Sequence, residues 1–152
     1  MMKVFIEAEA GSPDKFDYNE TTLEFQKIRR AEAPYPYPYG FILGTLTPEG
    51  DGVDCYVISK SYLKTGSSVE CTAMGILEFF EGDEIDHKVL AILPEEAASQ
   101  PMDEAQREAL RTELEKFIYH IFTRYPEMHV RVGRLLPQKA ALDYIKQLTK
   151  MV

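Results

Sequence analysis

The chain has 152 residues, with 17 Lys and Arg against 25 Asp and Glu, for a formal charge of −8. An apolar share of 45% and a charged share of 28% are those of an ordinary globular protein and exclude disorder as the dominant state. The acidic balance excludes nucleic acid and anionic membrane as main partners, because both call for a basic surface.

The length predicts one domain over residues 1–152. The opening Met1-Met2-Lys3-Val4-Phe5-Ile6-Glu7 meets charge too soon for a signal peptide. No apolar run approaches the ~18 residues that span a bilayer. Cys55 and Cys71 lie inside apolar runs and form no disulfide framework, which predicts two reduced core thiols in a cytoplasmic protein.

Residues 3–93 read as short strands broken by turn residues. Lys3–Ala8 is extended and apolar, Gly11-Ser12-Pro13-Asp14 is a turn between two strands, and Leu23–Ile28 alternates as a half-buried strand does. Tyr35-Pro36-Tyr37-Pro38-Tyr39 reads as a rigid, polyproline-like connector feeding a run over Phe41–Leu46. Val53–Ile58, Val69–Phe80 and Lys88–Leu93 are rich in β-branched or aliphatic residues. Strands at this spacing predict a small, mostly antiparallel barrel or sandwich.

Pro94 to Pro101 reads as a connection. Asp103 with Gln106 forms a capping box for a helix whose Leu110, Leu114, Phe117, Ile118, Ile121, Phe122 and Tyr125 make one apolar stripe. Pro126 stops that helix. Met128–Val132 reads as a short strand and Pro137–Lys150 as a second helix with Leu142, Ile145 and Leu148 inward. The expected fold class is mainly β with α, a barrel flanked by two C-terminal helices.

Two acidic turns carry possible chemistry. Glu49-Gly50-Asp51-Gly52-Val53-Asp54 gathers three carboxylates in six residues. Such groups repel unless a cation joins them, and a hard divalent ion with oxygen ligands is the natural candidate. Glu81-Gly82-Asp83-Glu84-Ile85-Asp86-His87-Lys88 is the second, with Asp86 and Lys88 side by side at a strand mouth and His87 read as a surface residue. Taken alone, each run is also an ordinary solvated turn. His87, His120 and His129 share no ligand-pair spacing, which argues against zinc.

The order of the motifs says more than any one of them. Phe5-Ile6-Glu7, Gly11-Ser12, Lys15-Phe16-Asp17, Tyr35-Pro36, Tyr39-Gly40-Phe41-Ile42, Thr45-Leu46, Gly50-Asp51-Gly52-Val53-Asp54, Gly75-Ile76-Leu77 and Asp86-His87-Lys88 follow one another along the chain. In this the sequence resembles the soluble family I inorganic pyrophosphatases, over about residues 4–93 and faintly to Tyr125. The resemblance implies an OB-like antiparallel barrel, several Mg²⁺ ions per site (Mn²⁺ or Co²⁺ as substitutes) and hydrolysis of pyrophosphate to two phosphates. It also implies a homo-oligomer, often a hexamer among bacterial members. In that chemistry clustered metal ions cancel substrate charge and lower the pKa of a bound water.

Residue by residue, the resemblance implies Asp54 as the bridging metal ligand, with Glu49, Asp86, Glu81 and the rim residue Glu7 as further ligands. Asp51 would orient or deprotonate the attacking water. Lys15, Lys88, Tyr39 and Tyr125 would contact phosphate, Asp17 would support the cluster, and Tyr35 would pack and hydrogen-bond beneath it.

Departures accompany these matches. Glu49 and Glu81 stand where the family has Asp, which moves each carboxylate by ~1.5 Å. Gly82 replaces a second acid. Lys27 aligns with a phosphate-binding Arg, with Arg29 the alternative if the strand slips by one pleat. Pro38 replaces an Asn, and Pro126 replaces a Lys whose charge Arg131 or Arg134 would restore. These changes leave room for two other readings, a weakly catalytic module binding divalent cations or phosphate, and a hydrolase of another small phosphoanhydride.

Overall fold

The structure, a computed structural model, describes residues 1–97 and 102–150. Among these residues nine strands run as β1 (Met2–Ala8), β2 (Asp14–Tyr18), β3 (Phe25–Arg30), β4 (Tyr39–Ile42), β5 (Val53–Val57), β6 (Ser68–Glu81), β7 (Glu84–Ile85), β8 (Lys88–Ile92) and β9 (Val130–Pro137). Among the described residues there are three α-helices, α1 (Pro94–Ala97), α2 (Glu104–Ile121) and α3 (Gln138–Leu148).

Strand pairing in the order β1-β4-β5-β8-β6 returns to β1 through a β1–β6 ladder, so five strands close into a barrel. The pairs are antiparallel except β5 with β8, which is parallel. Closure removes the sheet edges that invite aggregation. Gly40 is required by it: a Cβ there would stand 1.7 Å from the Phe5 carbonyl oxygen of β1.

Alternation along each strand divides the side chains between two cores. Val4, Ile6, Val53, Cys55, Val57, Val89 and Ala91 point into the barrel, where Ala141, Ile145 and Leu148 of α3 meet them. Both cysteines lie in this cluster, fully buried and unbridged. The opposite face, with Tyr39, Tyr56, Leu77, Phe79 and Leu90, packs against Leu110, Leu114, Phe117 and Ile118 of α2. The capping box forms as expected: the Asp103 carboxylate accepts from the Gln106 amide at 2.7 Å, and the Gln106 side chain accepts from the Asp103 amide at 2.9 Å.

Several sequence expectations are corrected. The strand expected over Leu23–Ile28 spans Phe25–Arg30 and is exposed along its whole length. Among the described residues it pairs only with β2, forming a two-stranded ribbon that leaves the barrel. The Phe41–Leu46 run ends as a strand at Ile42, because Leu43 and Gly44 turn. The Pro94–Pro101 connection contains α1, and its residues 98–101 lie outside the described residues.

The helix after Asp103 stops at Ile121, so Tyr125 is not part of its apolar stripe but stands 48% exposed beyond it. Pro126–Met128 form a 3-10 turn, and the strand expected at Met128–Val132 runs instead from Val130 to Pro137. In α3, which begins at Gln138, Leu142 faces out at 50% exposure while Ala141 is fully buried.

Candidate active site

One cleft of about 750 Å³ lies between the outer face of the β4–β5–β8 wall, the β2–β3 ribbon and the end of α2. Ten carboxylates and five cationic side chains line it. The parallel register pairs Cys55 with Val89, which sets the preceding Asp54 and Lys88 side by side on the outer face. Lys88 Nζ donates to Asp54 Oδ2 at 2.5 Å and to Asp86 Oδ2 at 3.1 Å. The Tyr39 hydroxyl is 3.4 Å from the same ammonium, which also sits over the Phe79 ring.

Lys88 is buried, and burial alone would lower its pKa, but Asp54 and Asp86 outweigh that and hold it well above the usual lysine range. It is a permanent cation. Burial raises the Asp86 carboxyl; Lys88 opposes the rise and Asp54 adds to it. Burial, with Asp86 close by, also raises Glu81. Tyr39, buried at the cleft floor, stays a neutral donor well above the usual phenol range, and Tyr35 beneath it is pushed up to about 12. Tyr35 packs on Tyr39 and Phe117, with ring centroids 5.5 and 4.9 Å away.

Glu7 reaches the cleft through a bulge. In the β1–β4 ladder Ile6 pairs with Gly40 and Ala8 with Tyr39, leaving Glu7 as the extra residue. Bulges re-aim side chains in this way beside functional sites. The carboxylate is 3.8 Å from Lys15 Nζ. Burial dominates and pushes its pKa up to about 8, even with Lys15 pulling down.

The ribbon supplies the opposing charge. Lys15 Nζ donates to Asp17 at 2.9 Å, and Arg29 grips the same carboxylate through Nε at 2.6 Å and Nη2 at 3.0 Å. Burial acts to raise Asp17, but the hydrogen bonds from Arg29 and Lys15 outweigh it and hold the carboxyl below its usual range. Asp17 therefore orients two cations.

The sequence reading divides cleanly here. Glu7, Lys15, Arg29, Tyr39, Glu49, Asp51, Asp54, Glu81, Asp86, Lys88 and Tyr125 all line the cleft. Lys27 does not: Lys15 pairs with Arg29 on the rung nearer the barrel, and Lys27 lies two rungs outward, opposite Asp17 and exposed. Arg131 stacks on Phe80 at 4.1 Å and Arg134 binds Glu78 at 2.9 Å, so neither faces the cleft. His87 is not a surface residue but half-buried between Phe80 and Tyr144, its Nδ1 accepting the Phe79 amide at 3.0 Å.

Four charged lining residues escaped the sequence reading: Glu20, Arg30, Glu32 and Arg124. Arg124 adjoins Tyr125 and pairs with Glu32 at 2.8 Å; its proximity to the tyrosine was the available signal. Glu20 accepts the Gly52 amide at 2.6 Å across 32 residues, and nothing local marks it.

The donor set fits hard divalent ions. Carboxylates outnumber cations two to one on a concave surface, and Glu7, Glu81 and Asp86 are raised toward protonation without a metal. Among the described residues no three acidic, His or Cys side chains close on a single point. An open bowl of this kind suits a hard divalent ion that keeps some of its waters and takes only one or two carboxylates.

A closed five-stranded barrel whose side cleft sets acids against guanidinium and ammonium groups defines a class of protein that presents a phosphate polyanion to divalent metal. The inorganic pyrophosphatase family model matches residues 4–152, further than the stretch legible in the sequence, and the chain belongs to that family. It is 31% identical over 147 residues to the inorganic pyrophosphatase of Nanoarchaeum equitans, covering 94% of this chain and 92% of that one. With the Aquifex pyrophilus enzyme the identity is 32% over 150 residues, covering 95% and 85%. The crystal structure of the Thermus thermophilus inorganic pyrophosphatase superposes with a TM-score of 0.83 at 26% identity, covering 96% of this chain and 87% of that one.

Proposed function

We propose that this chain hydrolyses inorganic pyrophosphate to two phosphates with Mg²⁺, residues 1–152 acting as one pyrophosphatase-like domain. The observation that carries the reading is the single cleft in which Asp54 and Asp86 flank Lys88 while Lys15 and Arg29 face them from the ribbon. Family membership supports the same substrate.

Glu49, Asp54, Glu81, Asp86 and Glu7 would hold the metal ions, with Mn²⁺ or Co²⁺ as substitutes. Bound divalent ions supply neutralisation of substrate charge and acidify a water. Lys15, Arg29, Lys88, Tyr39 and Tyr125 hold phosphoryl oxygens, and Arg124 takes the place proposed above for Arg131 or Arg134. Asp51 accepts the proton of the attacking water. As the new P–O bond forms, the bridging P–O bond breaks and its electron pair leaves with the second phosphate. We extend the reading to a cytoplasmic homo-oligomer of up to six copies, a state that exposed Phe25 and Ile28 on β3 support as an apolar contact.

Phosphate release from pyrophosphate at mildly alkaline pH, with Mg²⁺ and with EDTA, tests the activity. Release that needs the metal and disappears with EDTA supports it. A folded protein with no release under Mg²⁺, Mn²⁺ or Co²⁺ would leave a binding module. Asp51→Asn is expected to lower kcat by about 10²- to 10⁴-fold with Mg²⁺ affinity retained, read by titration calorimetry beside the assay.

A further inference from the structure

The loop of residues 47–52 between β4 and β5 carries Glu49 and Asp51, and it leads directly into Asp54. Most of its bonded amides are satisfied close at hand. The Thr47 amide donates to the Asp51 carbonyl at 2.6 Å, Gly50 to the Thr47 carbonyl at 2.9 Å, and Asp51 to Thr47 Oγ1 at 3.3 Å. The buried Gly52 amide instead donates to Glu20 Oε1 at 2.6 Å, reaching across to the ribbon. A side chain at position 52 would obstruct this, since a Cβ would stand 3.1 Å from that oxygen and 2.8 Å from the Phe41 ring.

Glu20 is itself presented rigidly. It sits in the β2–β3 turn, where Asn19 Oδ1 accepts the Thr21 and Thr22 amides, each at 2.9 Å. The Leu23 amide donates to the Asn19 carbonyl at 2.7 Å, and Asn19 donates to the Glu24 carbonyl at 2.9 Å. The strand entering this turn carries Lys15 and Asp17. Among the described residues the ladder joining the ribbon to the barrel is one rung, Ala8 with Lys15, and nearer the turn Tyr18 packs edge-on against Phe5 of β1 at 4.8 Å, so the Glu20–Gly52 bond adds a polar tie at the far end.

We propose that Glu20 is a positioning residue that locks the carboxylate loop to the cation ribbon through the Gly52 amide, setting the spacing between the acids and the cations that receive the substrate. This rests on the function proposed above. The part Glu20 plays is to accept one hydrogen bond, which a neutral amide of equal length also does. Its charge is secondary, and its reach is what matters.

Three variants separate reach from charge. Glu20→Gln keeps the reach and removes the charge, Glu20→Asp keeps the charge and shortens the reach, and Glu20→Ala removes both. Pyrophosphate hydrolysis over a range of Mg²⁺ and hydrogen exchange at the Gly52 amide are measured on each. Glu20→Ala and Glu20→Asp are expected to lose about 10- to 100-fold in kcat/KM, to need more Mg²⁺, and to exchange Gly52 faster. Glu20→Gln is expected to restore most of the activity and the protection. Equal losses in Gln and Ala would overturn the proposal in favour of a charge or ligand role, and unchanged Gly52 protection in Ala would overturn it outright. Should the wild type lack hydrolysis, the function fails, while the exchange data still decide the positioning role.

Discussion

The two walls of the cleft are held by different forces. On the barrel wall, Tyr39, Asp54 and Lys88 stand on strands whose alternate residues fill a closed core, and the Lys88 ammonium is almost wholly enclosed. On the ribbon wall, Lys15, Asp17 and Arg29 stand on a two-stranded extension whose outer strand is exposed throughout. Packing fixes the first wall to the precision of a protein interior. The second is tied to the barrel by the edge-on contact of Tyr18 with Phe5, and its charged groups keep their geometry through ion pairs and hydrogen bonds that solvent weakens. A site for a flexible polyanion thereby combines a rigid anchor for metal with a polar arm that is cheap to adjust.

Replacing Lys88 by Met is the severest test of that contrast. It leaves Asp54 and Asp86 facing each other without their shared cation. Activity is expected to fall by at least about 100-fold, and stability by about 2–4 kcal/mol in urea unfolding of the metal-free protein, below the figure for a fully buried pair because both acids retain solvent contact. A loss of activity with full stability would show that packing does not depend on this pair.

Arg29→Met tests the other wall. Pyrophosphate KM is expected to rise about tenfold, while stability changes by less than about 1 kcal/mol because the Arg29–Asp17 pair is half-exposed. A cooperative loss of stability would mean that the ribbon and barrel are one packed unit.

Glu7, on the bulge where β1 faces both walls, gives a pH test of smaller size. Its pKa in the folded chain is about 8 against an ordinary 4.5. The folded state therefore binds the proton more tightly than the unfolded state. That contribution to stability is complete below the ordinary value and is lost as pH rises through about 8. Metal-free protein is expected to lose stability between about pH 5 and pH 8, and Glu7→Gln to flatten that slope, as urea midpoints across the range will report. The smallest effect is expected from Lys27→Met: activity within about twofold and stability within about 0.5 kcal/mol, since Lys27 stands outside the cleft.

How far the site was legible follows from the same contrast. On the barrel wall Asp86 and Lys88 are two residues apart in one strand mouth, and a period of two puts them on one face, so their pairing was readable. On the ribbon the same period puts Lys27 and Arg29 on one face too, and it is silent about which lies nearer the barrel. Helical spacing likewise put Leu142 on the inner face of α3, and only the seat of that helix on the barrel turned Leu142 out and chose Ala141.

The sequence by itself determined four of the five barrel strands (all but β4), the capping box at Asp103 and Gln106, and the two acidic turns, because each depends on neighbours a few residues apart. The tertiary structure alone decided that Arg29 and Arg124 face the cleft, that Glu7 is turned into it by a bulge, and that Glu20 holds Gly52. Those outcomes depend on strand register, on how far a ribbon departs from its barrel, and on where a helix ends against a sheet. Such quantities are set by the packing of segments distant in the chain, and no local pattern encodes them.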